Sequence, residues 1–199
     1  MKTAITAIAG LAIAGTASAQ SLTFDLSGLS IDSLANGSVS VTLTGVGAGP
    51  VAGIEYNINY GPAAGSLSWT EELAMELAAP GAALSGLGPG AGNGAADGTI
   101  HFGSTVVSAF NVARDINADV LLGGDATTGA SLSSSGSTAL LNGVNGTGTW
   151  TLTIGEIFND TGVDGAFGAG SFVTINFIPA PGGMALLGLG GLAAARRRR

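Results

Sequence analysis

Ile54-Glu55-Tyr56-Asn57-Ile58-Asn59-Tyr60 sets an apolar or aromatic side chain at every second position, with a polar one between. Successive side chains of a strand point to opposite faces, so a period of two predicts a strand with one face buried and one wet. Ser38-Val39-Ser40-Val41-Thr42-Leu43-Thr44 has the same period. Thr99-Ile100-His101-Phe102, Gly148-Thr149-Trp150-Thr151-Leu152-Thr153-Ile154 and Phe172-Val173-Thr174-Ile175-Asn176-Phe177 are further strands, with Gly-, Pro- and Asn-rich stretches between them. Pro80 to Gly98 is the longest such stretch and predicts a surface loop. Glu71 to Ala79 fits a helix and a strand equally well. Many spaced strands punctuated by turn signals predict an all-β fold, an antiparallel β-sandwich.

Composition agrees. Charged residues make up only 10% of the 199-residue chain, and 35 residues are Gly. Such a chain suits short strands joined by many turns, because Gly takes up positive φ without steric cost. Of the six basic residues, Lys2 and Arg196 to Arg199 belong to the two ends. The interior sets thirteen acidic side chains against Arg114 alone, a net charge of about −12. That charge repels phosphate backbones and excludes nucleic acid as a partner class. No cysteine is present, which excludes disulfides, thiolate metal sites and a Cys nucleophile.

The ends have their own logic. Lys2, an apolar run from Ala4 to Gly15 and the small-x-small triplet Ala17-Ser18-Ala19 compose a secretion signal, cleaved by signal peptidase after Ala19. At the other end stand Pro179-Ala180-Pro181-Gly182-Gly183, an apolar run from Met184 to Ala195, and Arg196-Arg197-Arg198-Arg199. As a helix that run measures about 18 Å, short of the roughly 30 Å hydrocarbon core of a bilayer. Four arginines hold its end on the cytoplasmic side, so it inserts transiently and makes a poor permanent anchor. The chain thus divides into a signal helix (1–19), a β-sandwich (20–178) and a sorting tail with a short apolar helix (179–199).

The tail resembles the PEP-CTERM sorting signals of exported bacterial proteins associated with exopolysaccharide. Ala180 stands where that pattern has Glu, giving a Pro-Ala-Pro-Gly variant over Pro179, Ala180, Pro181 and Gly182. The resemblance implies processing by an exosortase-like membrane enzyme. It places the body in the cell envelope or outside the cell, with a transient inner-membrane segment. A plain C-terminal anchor is the alternative. In the body, the Gly148 to Ile154 strand, the Asn159-Asp160-Thr161-Gly162 turn and the Ser171 to Phe177 strand look like the final hairpin of P-domain-like jelly rolls. That likeness makes Leu67 to Leu73 an inner strand and implies a non-catalytic binding or accessory module.

Chemistry-bearing residues are few. His101, the single histidine, is expected as a partly exposed strand residue with no nucleophile motif beside it. Glu71, Glu72, Glu76 and Glu156 could supply the two facing carboxylates of a glycoside hydrolase. On an acidic exported body they are expected to be solvated instead. Asp115, Asn117 and Asp119 alternate as oxygen ligands do at the start of a calcium loop, and Asn159 to Gly165 is a second oxygen-rich turn. Asx-turns, in which the side chain caps the local backbone, are the preferred reading of both patterns. Trp69 and Tyr56, with Trp150 and Tyr60, could stack on sugar rings or fill the core. Three function classes follow: a non-catalytic structural or interaction protein, a carbohydrate-binding module using calcium, and a hydrolase.

Overall fold

A computed structural model describes residues 20–31, 39–45, 49–63, 69–87, 97–104, 118–125, 127–157 and 163–179. The signal helix and the apolar tail helix expected from the sequence lie outside these residues. Among the described residues, no helix is long and apolar enough to cross a membrane.

The described residues form eleven strands in two sheets: β1 (Ser21–Asp25), β2 (Ser30–Ile31), β3 (Val39–Gly45), β4 (Val51–Pro62), β5 (Leu73–Ala78), β6 (Thr99–Gly103), β7 (Val120–Leu121), β8 (Leu132–Thr138), β9 (Gly148–Glu156), β10 (Gly165–Phe167) and β11 (Phe172–Phe177). The first sheet runs β1-β11-β4-β10-β2, with β8 on the other edge of β4. The second runs β3-β9-β5-β6-β7. All pairings are antiparallel except β6 with β7. The fold is therefore all-β and sandwich-like, as the alternating pattern predicts.

The alternation places the core. In β4, Ile54, Ile58 and Tyr60 are buried while Glu55 is exposed. In β11, Val173, Ile175 and Phe177 are buried. From the second sheet come Met75, Leu77, Ile100, Phe102, Trp150 and Leu152, and all of these form one apolar cluster. Trp150 is fully buried and donates its indole N–H to the Gly146 carbonyl at 3.0 Å, so its one polar atom is matched.

Two expectations are corrected. The strand at 148–156 and the strand at 172–177 do not form a hairpin. β9 pairs with β3 and β5, whereas β11 lies between β1 and β4 in the other sheet. The three-residue β10 intervenes and pairs with β4. Nor do the described residues of the inner strand expected at Leu67 to Leu73 bear it out: Thr70–Glu72 is one 3-10 turn, and the strand begins at Leu73.

The chain enters and leaves at one pole. Ser21 pairs with Asn176, and Phe177 donates its N–H to the Gln20 carbonyl at 2.9 Å. Ile178 donates to the Pro50 carbonyl at 2.8 Å, and Gly146 to the Gly49 carbonyl at 3.1 Å. At the opposite pole lie the β1–β2 turn, Asp125, the end of β9, and Asp164 to Gly170, linked by such bonds as Leu26 N–H to the Ser171 carbonyl at 2.9 Å.

Candidate functional site

The main polar constellation sits on the outer face of the second sheet. In β5, Leu73, Met75 and Leu77 point into the core, so Ala74 and Glu76 point outward. In β6, Ile100 and Phe102 point in, and His101 points out. The register sets Glu76 directly opposite His101. Neither side chain reaches water: both residues are 0% exposed. The segment after β5 folds back over them, and Leu87 packs on Ala74.

Glu76 fastens that segment. Its Oε1 accepts Ser85 N–H at 2.6 Å and Ser85 Oγ–H at 2.7 Å, and its Oε2 accepts Gly86 N–H at 3.1 Å. Two successive N–H groups converge on one carboxylate because Gly86 adopts φ of 97°, a left-handed conformation that a Cβ disfavours. Ser85 Oγ also lies 3.0 Å from His101 Nε2. On the far side of the ring, Asp119 Oδ2 accepts the His101 backbone N–H at 3.2 Å and lies 3.9 Å from Nδ1.

The order Ser85, His101, Asp119 is that of an acyl-transfer triad. Glu76 changes its chemistry. It holds the serine hydroxyl, and it occupies the two backbone N–H groups that could otherwise stabilise an oxyanion. As arranged, the four side chains clasp a loop onto a sheet. His101 is therefore not the partly exposed strand residue that the sequence suggests. Its pairing with Glu76 and the overlying Ser85 bury it.

The carboxylates expected in solvent are buried too. Glu71, Glu72, Glu76 and Glu156 are each at most 2% exposed. For Glu72, Glu76 and Glu156 the reason is a local supply of donors. Glu72 Oε2 accepts the Trp69 N–H at 3.0 Å, closing the 3-10 turn. Glu156 Oε1 accepts the phenolic O–H of Tyr60, which reaches across from β4. Gly165 makes room for that phenol, since a Cβ there would overlap the Tyr60 Oη and Cζ atoms.

Burial, with Glu156 and then Asp164 nearby, pushes Tyr60 ionisation far above the ordinary tyrosine value. The unfolded chain releases this proton near pH 10, whereas the folded chain keeps it. The unfolded state then binds fewer protons, and stability falls by about 1.4 kcal/mol per pH unit above pH 10. Urea titrations at pH 9 and pH 11 should show this loss. Tyr60→Phe should remove the alkaline slope while costing about 2 kcal/mol at pH 7, because Glu156 loses its donor.

The other residues singled out from sequence fall as follows. Trp69 is buried, and its indole N–H donates to Thr128 Oγ1 at 3.3 Å. Tyr56 is half-buried, packed edge-on against Phe102 with centroids 5.6 Å apart. Trp150 and Tyr60 are core residues. These four rings are thus engaged with protein. An open groove of about 500 Å³ between β4 and the end of β8 is lined by Ala52, Glu55, Ser137, Asn176 and their neighbours, with no aromatic ring. Of the calcium-loop residues, Asp115 and Asn117 lie outside the described residues, and Asp119 is turned to His101. No group of three or more metal-ligating side chains occurs among the described residues. Ala17, Ala19, Ala180 to Gly182 and Arg196 to Arg199 lie outside the described residues; Pro179 ends them.

Ser85 escapes a sequence reading. It stands in a Gly- and Ala-rich loop with no periodicity, and its partner Glu76 is legible only once β5 and β6 are paired. The geometry defines a two-sheet all-β body with a polar clasp locked over one face. No protein-family profile, curated protein or solved structure matches the chain.

Proposed function

We propose that this chain is an exported protein of the cell envelope or extracellular matrix. Signal peptidase trims it after Ala19, and an exosortase-like enzyme trims it at Pro179 to Gly182. The body acts without catalysis, as a structural or interaction module in an exopolysaccharide setting. The observation that carries this reading is the order of parts at the C-terminus: a Pro-Ala-Pro-Gly motif, an apolar run too short to rest in a bilayer, and four arginines. The body's strand boundaries support it. The described strands fall between Ser21 and Phe177, so cleavage at both points would leave every one of them intact.

We read the sandwich further as jelly-roll-like, because the chain passes between the sheets at β2–β3, β3–β4, β4–β5, β7–β8, β8–β9 and β9–β10. The non-catalytic reading draws on the clasp, in which the serine hydroxyl is committed to Glu76.

A pulse-chase in the native cell tests the function. The full chain should pass from a membrane-bound precursor to a shorter form outside the inner membrane. A chain lacking residues 180–199 should appear directly in the medium. A full-length chain that stays in the membrane throughout the chase would replace sorting with simple anchoring.

A further inference from the structure

We infer that the pole built from Gln20, Pro50, the 139–146 turn and Ile178 is the face that lies on the membrane surface while an end segment still tethers the body, so that the opposite pole is presented outward. This rests on the sorting reading above and adds an orientation to it.

Three observations point to a bilayer surface as the occupant of this pole. First, the mature N-terminus and the start of the sorting motif are neighbours in space. Phe177 N–H bonds the Gln20 carbonyl, and Pro179 follows two residues later. Leader and tail therefore leave from one point.

Second, the tethers are short. From Ile178 to the first residue of the apolar run, Met184, a fully extended chain reaches at most about 20 Å. The twelve-residue strand β4, which spans the body from pole to pole, measures about 40 Å. A body held on so short a lead cannot turn over and set its far pole on the lipid.

Third, the far pole carries exposed acids of its own. The exposed acids Asp25 and Asp125 lie at the far pole, where Glu71, Glu72, Glu156 and Asp164 are buried. Among the described acidic residues, Asp97 lies at the pole carrying the chain ends, beside the end of β5, and Glu55 borders it in the groove that reaches Ala139. An anionic lipid surface repels exposed carboxylates, so the far pole, where Asp25 and Asp125 face solvent, is disfavoured against such a surface. The end pole exposes the apolar Leu140 and Ile178, and the far pole exposes Val163, so apolar exposure does not separate the two.

The chain has no cysteine, so single labels can be placed cleanly. Asn142→Cys marks the end pole and Ala169→Cys the far pole; both positions are exposed. The full chain, each variant carrying a fluorophore, is reconstituted in phosphatidylcholine–phosphatidylglycerol vesicles containing a nitroxide-headgroup lipid. The label at 142 should be quenched several-fold more than the label at 169. Equal quenching, or stronger quenching at 169, in chains that co-float with the vesicles overturns the orientation and leaves the tail reading intact. Failure of either chain to co-float overturns the tail reading itself, and the orientation with it.

Discussion

Glu76→Ala should lower the unfolding free energy by about 3 kcal/mol, which for a body of this size is a fall in Tm of roughly 10 °C. The carboxylate accepts three hydrogen bonds from Ser85 and Gly86 and lies 3.6 Å from the His101 ring, all without contact with water. Removing it leaves two buried backbone N–H groups and a hydroxyl to find new acceptors. Glu76→Gln keeps one acceptor oxygen and should cost about half as much. Thermal unfolding followed by circular dichroism measures both. Protease sensitivity should rise specifically in the 80–87 segment, because that is what the clasp holds. A phosphonofluoridate should leave Ser85 unlabelled in the parent chain, since its hydroxyl is committed to Glu76. A Ser85 adduct that His101→Gln abolishes would instead make the constellation a working nucleophile.

Gly165→Ala should be as damaging, at about 3 kcal/mol, for a different reason. The new methyl would occupy the space of the Tyr60 Oη and Cζ atoms. Tyr60 cannot swing aside: its ring is 2% exposed, tilted against Phe167 at 5.3 Å, and tied to Glu156 through its hydroxyl. Overpacking at such a site forces off-rotamer side chains or backbone shifts. Gly53→Ala is the matched control, because a Cβ there meets nothing closer than the Thr138 carbonyl at 3.8 Å. It should be neutral or slightly stabilising, since alanine restricts the unfolded chain. Urea denaturation of the three proteins gives the comparison. Equal midpoints for Gly165→Ala and the parent would mean that Tyr60 is not fixed as described.

Four of the long strands were legible because each carries its own period of two, whereas β5 is buried at every position and β8 is mostly Ser, Gly and Thr. Ile54 to Tyr60, Val39 to Thr44, Gly148 to Ile154 and Phe172 to Phe177 all lie within strands. Partner choice was not legible. β9 and β11 are consecutive long strands with a turn-rich stretch between them, and locally they look like a hairpin. The sheet change depends on β10, three residues long and too short to show any period. Burial of the acids was hidden for a related reason. A Glu next to another Glu, as at 71 and 72, looks solvated until the donors that reach it are known. Those donors come from Trp69 N–H, Tyr60 and the 85–86 turn, and only folding brings the last two close. The proposed end signals lie outside the described residues, and their reading rests on the order of residues at the two ends alone.

What the working molecule consists of is open to one direct weighing. Intact mass spectrometry of the protein recovered from native cells should give a chain starting at Gln20 and ending near Pro181. A mass that retains Arg196 to Arg199, recovered with the membranes, would contradict the account.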